Sequence, residues 1–373
     1  MDLVGEMILA HLAARHAGAI AVTPICPPYR PRLARLPLAR RHRATRNADR
    51  VLNRFWDYPH RLRRLAARGD HDVYHVVDHS YAQLVHALPA ARTVVTCHDL
   101  DAFRCLLEPD RDPRPRPFRA LARRILEGLQ RAAAVACVSE ATRRALLAHG
   151  VLPAERLHVI PNGISPEFGP DPDPAADAAA ARLLGPARFD PDAPPELLHV
   201  GSTIPRKRID VLLAVFAAVR RARPDARLIR VGGPLMPEQE RQARALGIAD
   251  AIVPLPFLDR PVLAAIYRRA ALVLQPSAAE GFGLPLAEAL ACGTAVLASD
   301  LDVLREVGGA AATYRPVGDV AAWAEATLEL LDARRHGPTA WHARRAAALT
   351  QAARFRWSAH VDQLAALYRS LLS

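Results

Sequence analysis

The chain has 373 residues, enough for two domains that each bury their own core. Hydrophobic residues make up 51% and charged residues 24%, which excludes wholesale disorder, collagen and coiled coil. Its five cysteines are widely spaced without a C-x-x-C pair, so neither a disulfide framework nor a zinc ribbon is expected. No apolar run approaches the roughly 18 residues that span a bilayer, and the first residues lack a basic leader. The predicted compartment is the cytoplasm.

The chain is strongly basic, with a formal net charge of +12. Lys207 is the only lysine among its 50 lysine and arginine residues, so arginine is used at every position where either basic residue would do. This bias weakens a nucleic-acid interpretation, and aromatic residues that would stack on bases make up only 5%. No nucleic-acid partner is therefore expected. A lysine kept at one position indicates a need for a compact ammonium group there.

Short apolar runs alternate with helix-like segments along the chain, a rhythm that predicts two doubly wound α/β domains with parallel sheets. Residues 1–165 form the first predicted domain, which opens in a helix. Residues 166–196 are rich in Pro, Asp and Ala and are the predicted linker. Residues 197–350 form the second domain, and 351–373 a last helix. The predicted strands are 19–23, 73–77, 92–97, 134–139, 157–161, 197–201, 227–232, 251–257, 271–277, 294–299 and 311–315.

Two loops at strand ends of the second domain carry candidate chemistry. In the first, Gly201 ends a strand, and Arg206 and Lys207 lie near the next helix. The guanidinium of an arginine can bind two phosphate oxygens at once and the ammonium of a lysine is a compact charge, so the pair suits a diphosphate. The alternative is an ordinary basic loop. In the second, glycines precede a helix whose free N–H groups can bind an anion, and Glu280 and Glu288 bracket the site. The two loops together predict a site for a phosphorylated ligand that carries sugar hydroxyls.

Polar residues also follow strands of the first domain. His98 and Asp99 project beyond one strand, although Asp99 is equally well explained as a helix cap, and Ser139 is better explained as an N-cap. His75 and His79, with Asp78 between them, suggest a metal site, but alternate faces of a strand need not converge, and 15 histidines make chance clusters common. We expect no metal.

The motifs E-G-F-G-L-P-L-A-E (280–288), G-S-T-I-P-R-K-R (201–208) and I-P-N-G-I (160–164) occur in an order that resembles the retaining nucleotide-sugar glycosyltransferases of family 4. The resemblance covers nearly the whole chain, and includes V-V-T-C-H-D-L (94–100) and the closing F-R-W-S (355–358). It implies a GT-B fold, with two Rossmann-like domains facing a cleft and a C-terminal helix that returns to the first. The expected donor is a nucleotide sugar and the acceptor a glycan, a lipid carrier or a small molecule.

By position in these motifs, the resemblance implies that Glu288 binds the ribose and Glu280 the transferred sugar, with Arg206 and Lys207 on the diphosphate. Catalysis would need neither a cofactor nor a metal. The implied catalytic residues are His98, Arg206, Lys207 and Glu280. The implied donor contacts are Gly201, Ser202, Phe257, Leu258, Gly281, Phe282, Gly283, Leu284 and Glu288. The acceptor-side residues are His79, Asp99 and Ser139.

Two features depart from the family pattern. The usual opening strand and glycine-rich loop are not recognisable, and Ser202 stands where many relatives have an arginine, whose charge Arg206 would supply. Residues 30–50 hold eight arginines against one acid, which suggests either a solvated loop or a contact with an anionic membrane surface. The alternatives to a transferase are an epimerase or phosphorylase of related fold and a non-catalytic nucleotide-sugar-binding relative.

Overall fold

The computed structural model describes residues 2–35, 43–187 and 193–372. The chain divides into two compact units, Met1–Asn162 with Trp357–Ser373, and Gly163–Arg356. Part of the arginine-rich segment, residues 36–42, lies outside the described residues, as does 188–192 of the predicted linker. None of the described helices is long and apolar enough to cross a membrane.

The first unit contains a four-stranded parallel sheet in the order β1-β2-β3-β4. Its strands are β1 (Tyr74–Val76), β2 (Thr93–Cys97), β3 (Ala134–Cys137) and β4 (Leu157–Val159). The helices are α1 (Asp2–Arg15), α2 (Arg43–Leu52), α3 (Tyr58–Ala66), α4 (Arg104–Leu107), α5 (Arg116–Arg131), α6 (Glu140–Ala148) and, from the end of the chain, α15 (Trp357–Ser370). A π-helical turn, Asn53–Asp57, joins α2 to α3.

Alternation along the strands sends side chains to opposite faces of this sheet. Val94 and Ala134 pack with α1 and α15 on one face, whereas Val95 and Val135 pack with α5 on the other. A strand covered on both faces is mostly apolar, and all five residues of β2, including Thr93 and Thr96, are buried. This double burial explains why the sequence shows continuous apolar runs here.

The predicted strand at 19–23 is wrong, because these residues form an irregular segment after α1. Ile20 and Val22 are partly buried against the cluster that holds α1 to α15. These apolar side chains therefore pack against the helices, although their backbone does not pair with a strand of the sheet. Each of the other predicted apolar runs contains a strand.

The second unit contains a six-stranded parallel sheet in the order β10-β9-β8-β5-β6-β7. Its strands are β5 (Glu196–Val200), β6 (Arg227–Val231), β7 (Ile252–Leu255), β8 (Leu272–Gln275), β9 (Val296–Ser299) and β10 (Thr313–Arg315). Its helices are α7 (Pro174–Leu184), α8 (Ile209–Ala222), α9 (Pro237–Ala245), α10 (Arg260–Arg269), α11 (Leu284–Ala291), α12 (Asp302–Gly308), α13 (Val320–His336) and α14 (Pro338–Ala352). In sequence order these strands follow the doubly wound 3-2-1-4-5-6 pattern, which reverses between β5 and β8.

The linker prediction for 166–196 differs from the structure. Asp173 caps α7 by accepting hydrogen bonds from Ala175 N and Ala176 N, and the helix belongs to the second unit. Arg268 of α10 forms an ion pair with Asp177 of α7 at 2.8 Å. The alanines that resembled linker composition are the small apolar face of this helix, with Ala176 and Ala180 buried.

Candidate functional site

Two loops meet at the point where the strand order of the second sheet reverses. One follows β5 and ends in a turn of 3₁₀ helix, Pro205–Lys207, and the other runs from β8 to α11. Since β5 and β8 are hydrogen-bonded neighbours, their carboxyl ends lie side by side. Ala278 N donates to Arg206 O at 2.7 Å and ties the loops together. Ligands of doubly wound sheets bind at this place, so the two motif-bearing loops share one candidate site.

Glu280 is the centre of that site. Its Oε1 accepts hydrogen bonds from Lys207 Nζ at 2.6 Å, from Ser277 Oγ at 2.7 Å and from Gln275 Nε2 at 3.0 Å. Its Oε2 accepts from Arg206 Nη1 at 3.0 Å. Oε1 already accepts from three donors, whereas Oε2 accepts from Arg206 among the described residues and can accept a further donor such as a sugar hydroxyl. The structure therefore brings together Arg206, Lys207 and Glu280, as their motifs suggested.

The charge state of Glu280 follows from its surroundings. Burial alone would raise the pKa of this carboxyl, but the charges of Lys207 and Arg206, with hydrogen bonds from Lys207 and Ser277, lower it below its ordinary value of 4.5. Its side chain is only 6% exposed. Glu280 is thus a buried, ionised group that fixes two cations at the mouth of the β5 and β8 loops.

Glycine is required where the strand ends crowd each other. Gly232 has a φ of +127°, and a Cβ there would overlap the carbonyl oxygen of Gly201. Gly283, the N-cap of α11, has a φ of +92°, and a Cβ would lie 2.6 Å from Leu304 Cδ2. The close approach of Gly201 to Gly232 brings the ends of β5 and β6 together beside Lys207, whose Cε lies close to Gly201.

Arg230, a residue that sequence reasoning missed, supports this crossing. It lies fully buried on β6 and donates to the carbonyl oxygens of Gly201 at 2.8 Å and Gly233. Within the described ranges it has no carboxylate partner, and burial lowers its pKa. Its register partner His199 is also buried, and neither ring nitrogen of His199 finds a partner among the described residues. Burial, with the neighbouring charges of Arg230 and Lys207, lowers the pKa of His199 to about 3. A charged residue inside an otherwise apolar strand pattern was the available signal.

Glu288 is held apart from this cluster. It lies on α11 and is 9% exposed, and its Oε2 accepts a hydrogen bond from the hydroxyl of Tyr267 at 2.9 Å. Burial raises the pKa of Glu288 to about 7, although Tyr267 and Arg260 oppose that shift. Sequence reasoning also missed Tyr267, because a tyrosine among the apolar positions of a helix is indistinguishable from an ordinary core residue.

The remaining donor-side predictions fall in different environments. Phe282 is buried and packs edge-to-face on Phe355, so its side chain belongs to the core and joins the loop to the closing motif. Phe257 is 77% exposed after β7, and Leu258 is partly buried beside it. Ser202, Gly281 and Leu284 lie in the two loops and at the start of α11. Their contacts with a donor stay predictions.

In the first unit, His98 and Asp99 follow β2 directly, as expected. His98 donates from Nε2 to the carbonyl of Val77 at 2.9 Å, which leaves Nδ1 as the acceptor nitrogen. Burial outweighs that hydrogen bond and lowers the pKa of His98, so the ring is neutral at pH 7. Asp99 accepts a hydrogen bond from the N–H of Asp101 at 3.0 Å, although the N-cap of the helical turn that follows is Leu100, without a side-chain cap hydrogen bond.

His79 differs from its predicted place on the acceptor side. Its side chain is only 5% exposed, its Nδ1 accepts the N–H of His98 at 3.1 Å, and its Nε2 lies 3.4 Å from Asp99 Oδ1. His79 therefore contacts both His98 and Asp99 from inside the unit. Ser139 is the N-cap of α6, accepting from Thr142 N at 3.1 Å. Both side chains are engaged inside the unit.

The suggested metal cluster does not assemble. His75 is partly buried, with its ring nitrogens 2.6 Å from the hydroxyl of Tyr368 and 2.8 Å from Thr96 Oγ1, so it links α15 to the sheet. Asp78 instead accepts from the N–H of Ser80. Among the described residues there is no group of three or more His, Cys, Asp or Glu side chains that could hold a metal ion.

Comparison with known proteins identifies the family of this chain. The family described as Glycosyltransferase Family 4 matches residues 5–168, and the family described as Glycosyl transferases group 1 matches residues 194–333. A D-inositol 3-phosphate glycosyltransferase of Catenulispora acidiphila is 34% identical over 83% of this chain and 74% of the relative. The chain belongs to glycosyltransferase family 4. This membership confirms the resemblance read from the motifs.

Other relatives carry the same name. The D-inositol 3-phosphate glycosyltransferase of Thermobispora bispora is 36% identical over 63% of this chain and 55% of its own length. That of Mycolicibacterium smegmatis is 36% identical over 47% of this chain and 40% of its own length. The chain thus spans about half the length of several curated relatives that it matches.

Solved structures share the fold of this family 4 chain. Sucrose-phosphate synthase from Thermosynechococcus elongatus superposes with a TM-score of 0.74 at 22% identity, over 100% of this chain and 93% of the other. WaaG, a glycosyltransferase involved in lipopolysaccharide biosynthesis, gives 0.67 at 17% identity, over 98% and 95%. With two parallel-sheet units, these neighbours confirm the predicted GT-B fold.

Proposed function

We propose that this chain transfers a sugar from a nucleoside diphosphate sugar to an acceptor, with retention at the anomeric carbon. One observation carries the proposal, the cluster of Arg206, Lys207 and Glu280 at the switch point of the second sheet. Two cations fixed by one buried carboxylate suit the diphosphate of a donor, and the open lone pair of Oε2 suits a hydroxyl of its sugar. Family membership supports the same reaction.

The chemistry places the main demand on the leaving group. The bond between the anomeric carbon and the phosphate oxygen breaks while the acceptor oxygen forms its bond on the same face. The acceptor proton passes to the departing diphosphate, whose growing charge Lys207 and Arg206 stabilise. Because these side chains supply two positive charges, we propose that no metal is required. Activity is then expected to persist in excess EDTA, and its loss with recovery on added Mg²⁺ would contradict this point.

The donor base and the acceptor are approached through the relatives. HepE of Anabaena has been solved with UDP and glucose, so UDP is the first nucleotide to examine. The curated relatives are named for D-inositol 3-phosphate, so this compound opens the acceptor screen, before glycans and lipid-linked sugars. His98 and Asp99 are the first-unit residues that we assign to the reacting sugars.

Calorimetric binding of UDP, GDP and ADP tests the donor site. We expect tight binding of one nucleotide, lost in Lys207→Ala and in Glu288→Ala. Arg305→Ala is the matched control, because Arg305 pairs with Asp300 elsewhere in the same unit and its loss should leave binding intact. Nucleotide binding without turnover on any acceptor would favour the non-catalytic relative, and release of free sugar or sugar phosphate would favour the epimerase or phosphorylase class. Absence of binding to all three would contradict the proposal.

We also propose that the arginines of residues 30–50 contact an anionic membrane surface, where each contributes roughly 1 kcal/mol. The support is compositional, from eight basic residues against one acid. Flotation with vesicles of anionic and of neutral lipid tests it. Binding to anionic vesicles alone is expected, and equal behaviour with both would remove the proposal.

A further inference from the structure

The hydroxyl of Tyr267 is held in a fixed position beside Glu288. The tyrosine is fully buried on α10, and its ring packs edge-to-face on Phe168 with centroids 5.8 Å apart. Its carbonyl accepts a hydrogen bond from Thr294 Oγ1 at 2.7 Å, which anchors the end of the helix. A buried phenol needs a polar partner, and Glu288 Oε2 is that partner at 2.9 Å. The tyrosine therefore fixes one carboxylate oxygen.

The other oxygen of Glu288 is left for a ligand. Among the described residues, the hydrogen bond from Tyr267 goes to Oε2, none goes to Oε1, and the residue keeps 9% of its surface exposed. The carboxylate thus presents one oxygen to the protein and one to the outside. A ribose with two adjacent hydroxyls offers hydrogen-bond donors that suit a carboxylate oxygen without another donor.

We infer that Tyr267 is a positioning residue of the donor site, which turns Glu288 Oε1 toward the ribose hydroxyls and stabilises the ionised carboxylate by donating to Oε2. The inference rests on the proposed function, in which Glu288 binds the ribose of the donor. Tyr267 itself does not reach a ligand, because it is fully buried behind Glu288.

The surroundings of Glu288 make its ionisation sensitive to this one hydroxyl. Burial raises the pKa of Glu288 to about 7, while Tyr267 and Arg260, both on α10, act to lower it. Cys292, at the end of α11, stays neutral because burial raises the pKa of its thiol to about 12. No other charged group in the described ranges, from β8, β9, α12 or α14, perturbs Glu288. Removal of the Tyr267 hydroxyl therefore raises the pKa of Glu288 further.

A consequence for binding follows from the sign of this shift. Ribose hydroxyls donate hydrogen bonds, so they bind the ionised carboxylate more tightly than the protonated acid. Affinity for the ribose then increases as pH rises through about 7, by up to about tenfold per unit below that value. In Tyr267→Phe the same rise moves to higher pH, and a purely structural defect would weaken binding without moving it.

The experiment compares two ligands across a pH range centred on 7. The nucleoside diphosphate selected by the donor screen and its 2′,3′-dideoxy counterpart are titrated into the wild type and into Tyr267→Phe. The diphosphate itself also titrates near neutral pH, and the ratio of the two affinities cancels that contribution. We expect Tyr267→Phe to lower the ratio at pH 7 by about 3- to 10-fold, the size of an ordinary net hydrogen-bond contribution, since Tyr267 acts on the ribose only through Glu288. We also expect the midpoint of the ratio to shift to higher pH.

Two further variants keep the test decisive. Tyr314→Phe is the matched control, since its hydroxyl makes its hydrogen bonds to the carbonyls of Leu304 and Gly309 and none to Glu288. In Glu288→Gln the ratio should lose its pH dependence, and adding Tyr267→Phe should change it no further. If Tyr267→Phe does not fold, the pH dependence of the ratio in wild type and its loss in Glu288→Gln still test the ionisation argument.

The outcomes separate the two proposals. A wild type that binds no nucleoside diphosphate, or that does not distinguish ribose from dideoxyribose, overturns the donor assignment itself. A wild type that distinguishes them, with a ratio and midpoint unchanged in folded Tyr267→Phe, overturns only the role of Tyr267. A ratio without pH dependence in the wild type likewise overturns the inference.

Discussion

Gly232→Ala tests whether the crossing of two strand ends supports the second unit and its site. Gly232 follows β6 with a φ of +127°, and an added Cβ would lie 2.6 Å from the carbonyl carbon of Gly201. Carbon atoms pack at about 3.5–4.0 Å, so the two backbones must separate by about 1 Å. The obstacle is backbone on both sides, and no rotamer change can relieve it.

The expected cost has two parts. An L side chain at this positive φ costs about 1–2 kcal/mol, and overpacking against an unyielding neighbour adds about 1–3 kcal/mol. Gly233, the next residue, has a φ of +93° with open space around its Cβ position, so Gly233→Ala carries only the first part. For a unit of this size each kcal/mol lowers Tm by roughly 3 °C, which predicts a fall of roughly 6–15 °C for Gly232→Ala and about 3–6 °C for Gly233→Ala.

Scanning calorimetry of both variants measures the difference, and nucleotide titration measures its effect on the site. Displacement of Gly201 should move Lys207, whose Cε lies next to it, so Gly232→Ala should also weaken nucleoside diphosphate binding. Gly233→Ala should largely retain binding. Equal melting temperatures for the two variants would refute the argument that contact with Gly201 requires glycine here.

Three further predictions concern single residues. Arg230→Met should weaken nucleoside diphosphate binding about tenfold or more and change nucleoside binding little, because the charged hydrogen bond that holds the Gly201 carbonyl is lost. Equal losses of affinity for both ligands in calorimetry would contradict this. Glu280 has a lowered pKa, so its contribution to folding is present above pH 4.5 and is lost as pH falls below it; denaturant unfolding should therefore show a steeper acid loss for wild type than for Glu280→Gln. Ser139→Ala should lower the stability of the first unit by about 1–2 kcal/mol through loss of the α6 cap, and an unchanged melting temperature would contradict this.

Much of the fold could be predicted because strands buried on both faces appear in the sequence as continuous apolar runs. The runs around Val94, Val135 and Leu198 are apolar at consecutive positions, as a central parallel strand requires. The failure at 19–23 shows the limit, since Ile20 and Val22 pack on α1 and α15 without joining the sheet. Apolar character reports burial, and the hydrogen-bonded partner that makes a strand is a neighbour distant in sequence.

The candidate site divides in the same way. The sequence by itself determined the fold class and the residues of the two loops, Arg206, Lys207 and Glu280, because glycine turns and helix starts constrain residue types locally. Only the tertiary structure decided that Glu280 binds both cations, that Tyr267 holds Glu288, and that Arg230 grips the Gly201 turn. Each of these contacts joins different strands, helices or loops, and such pairings arise from chain crossing and burial, which no local pattern records.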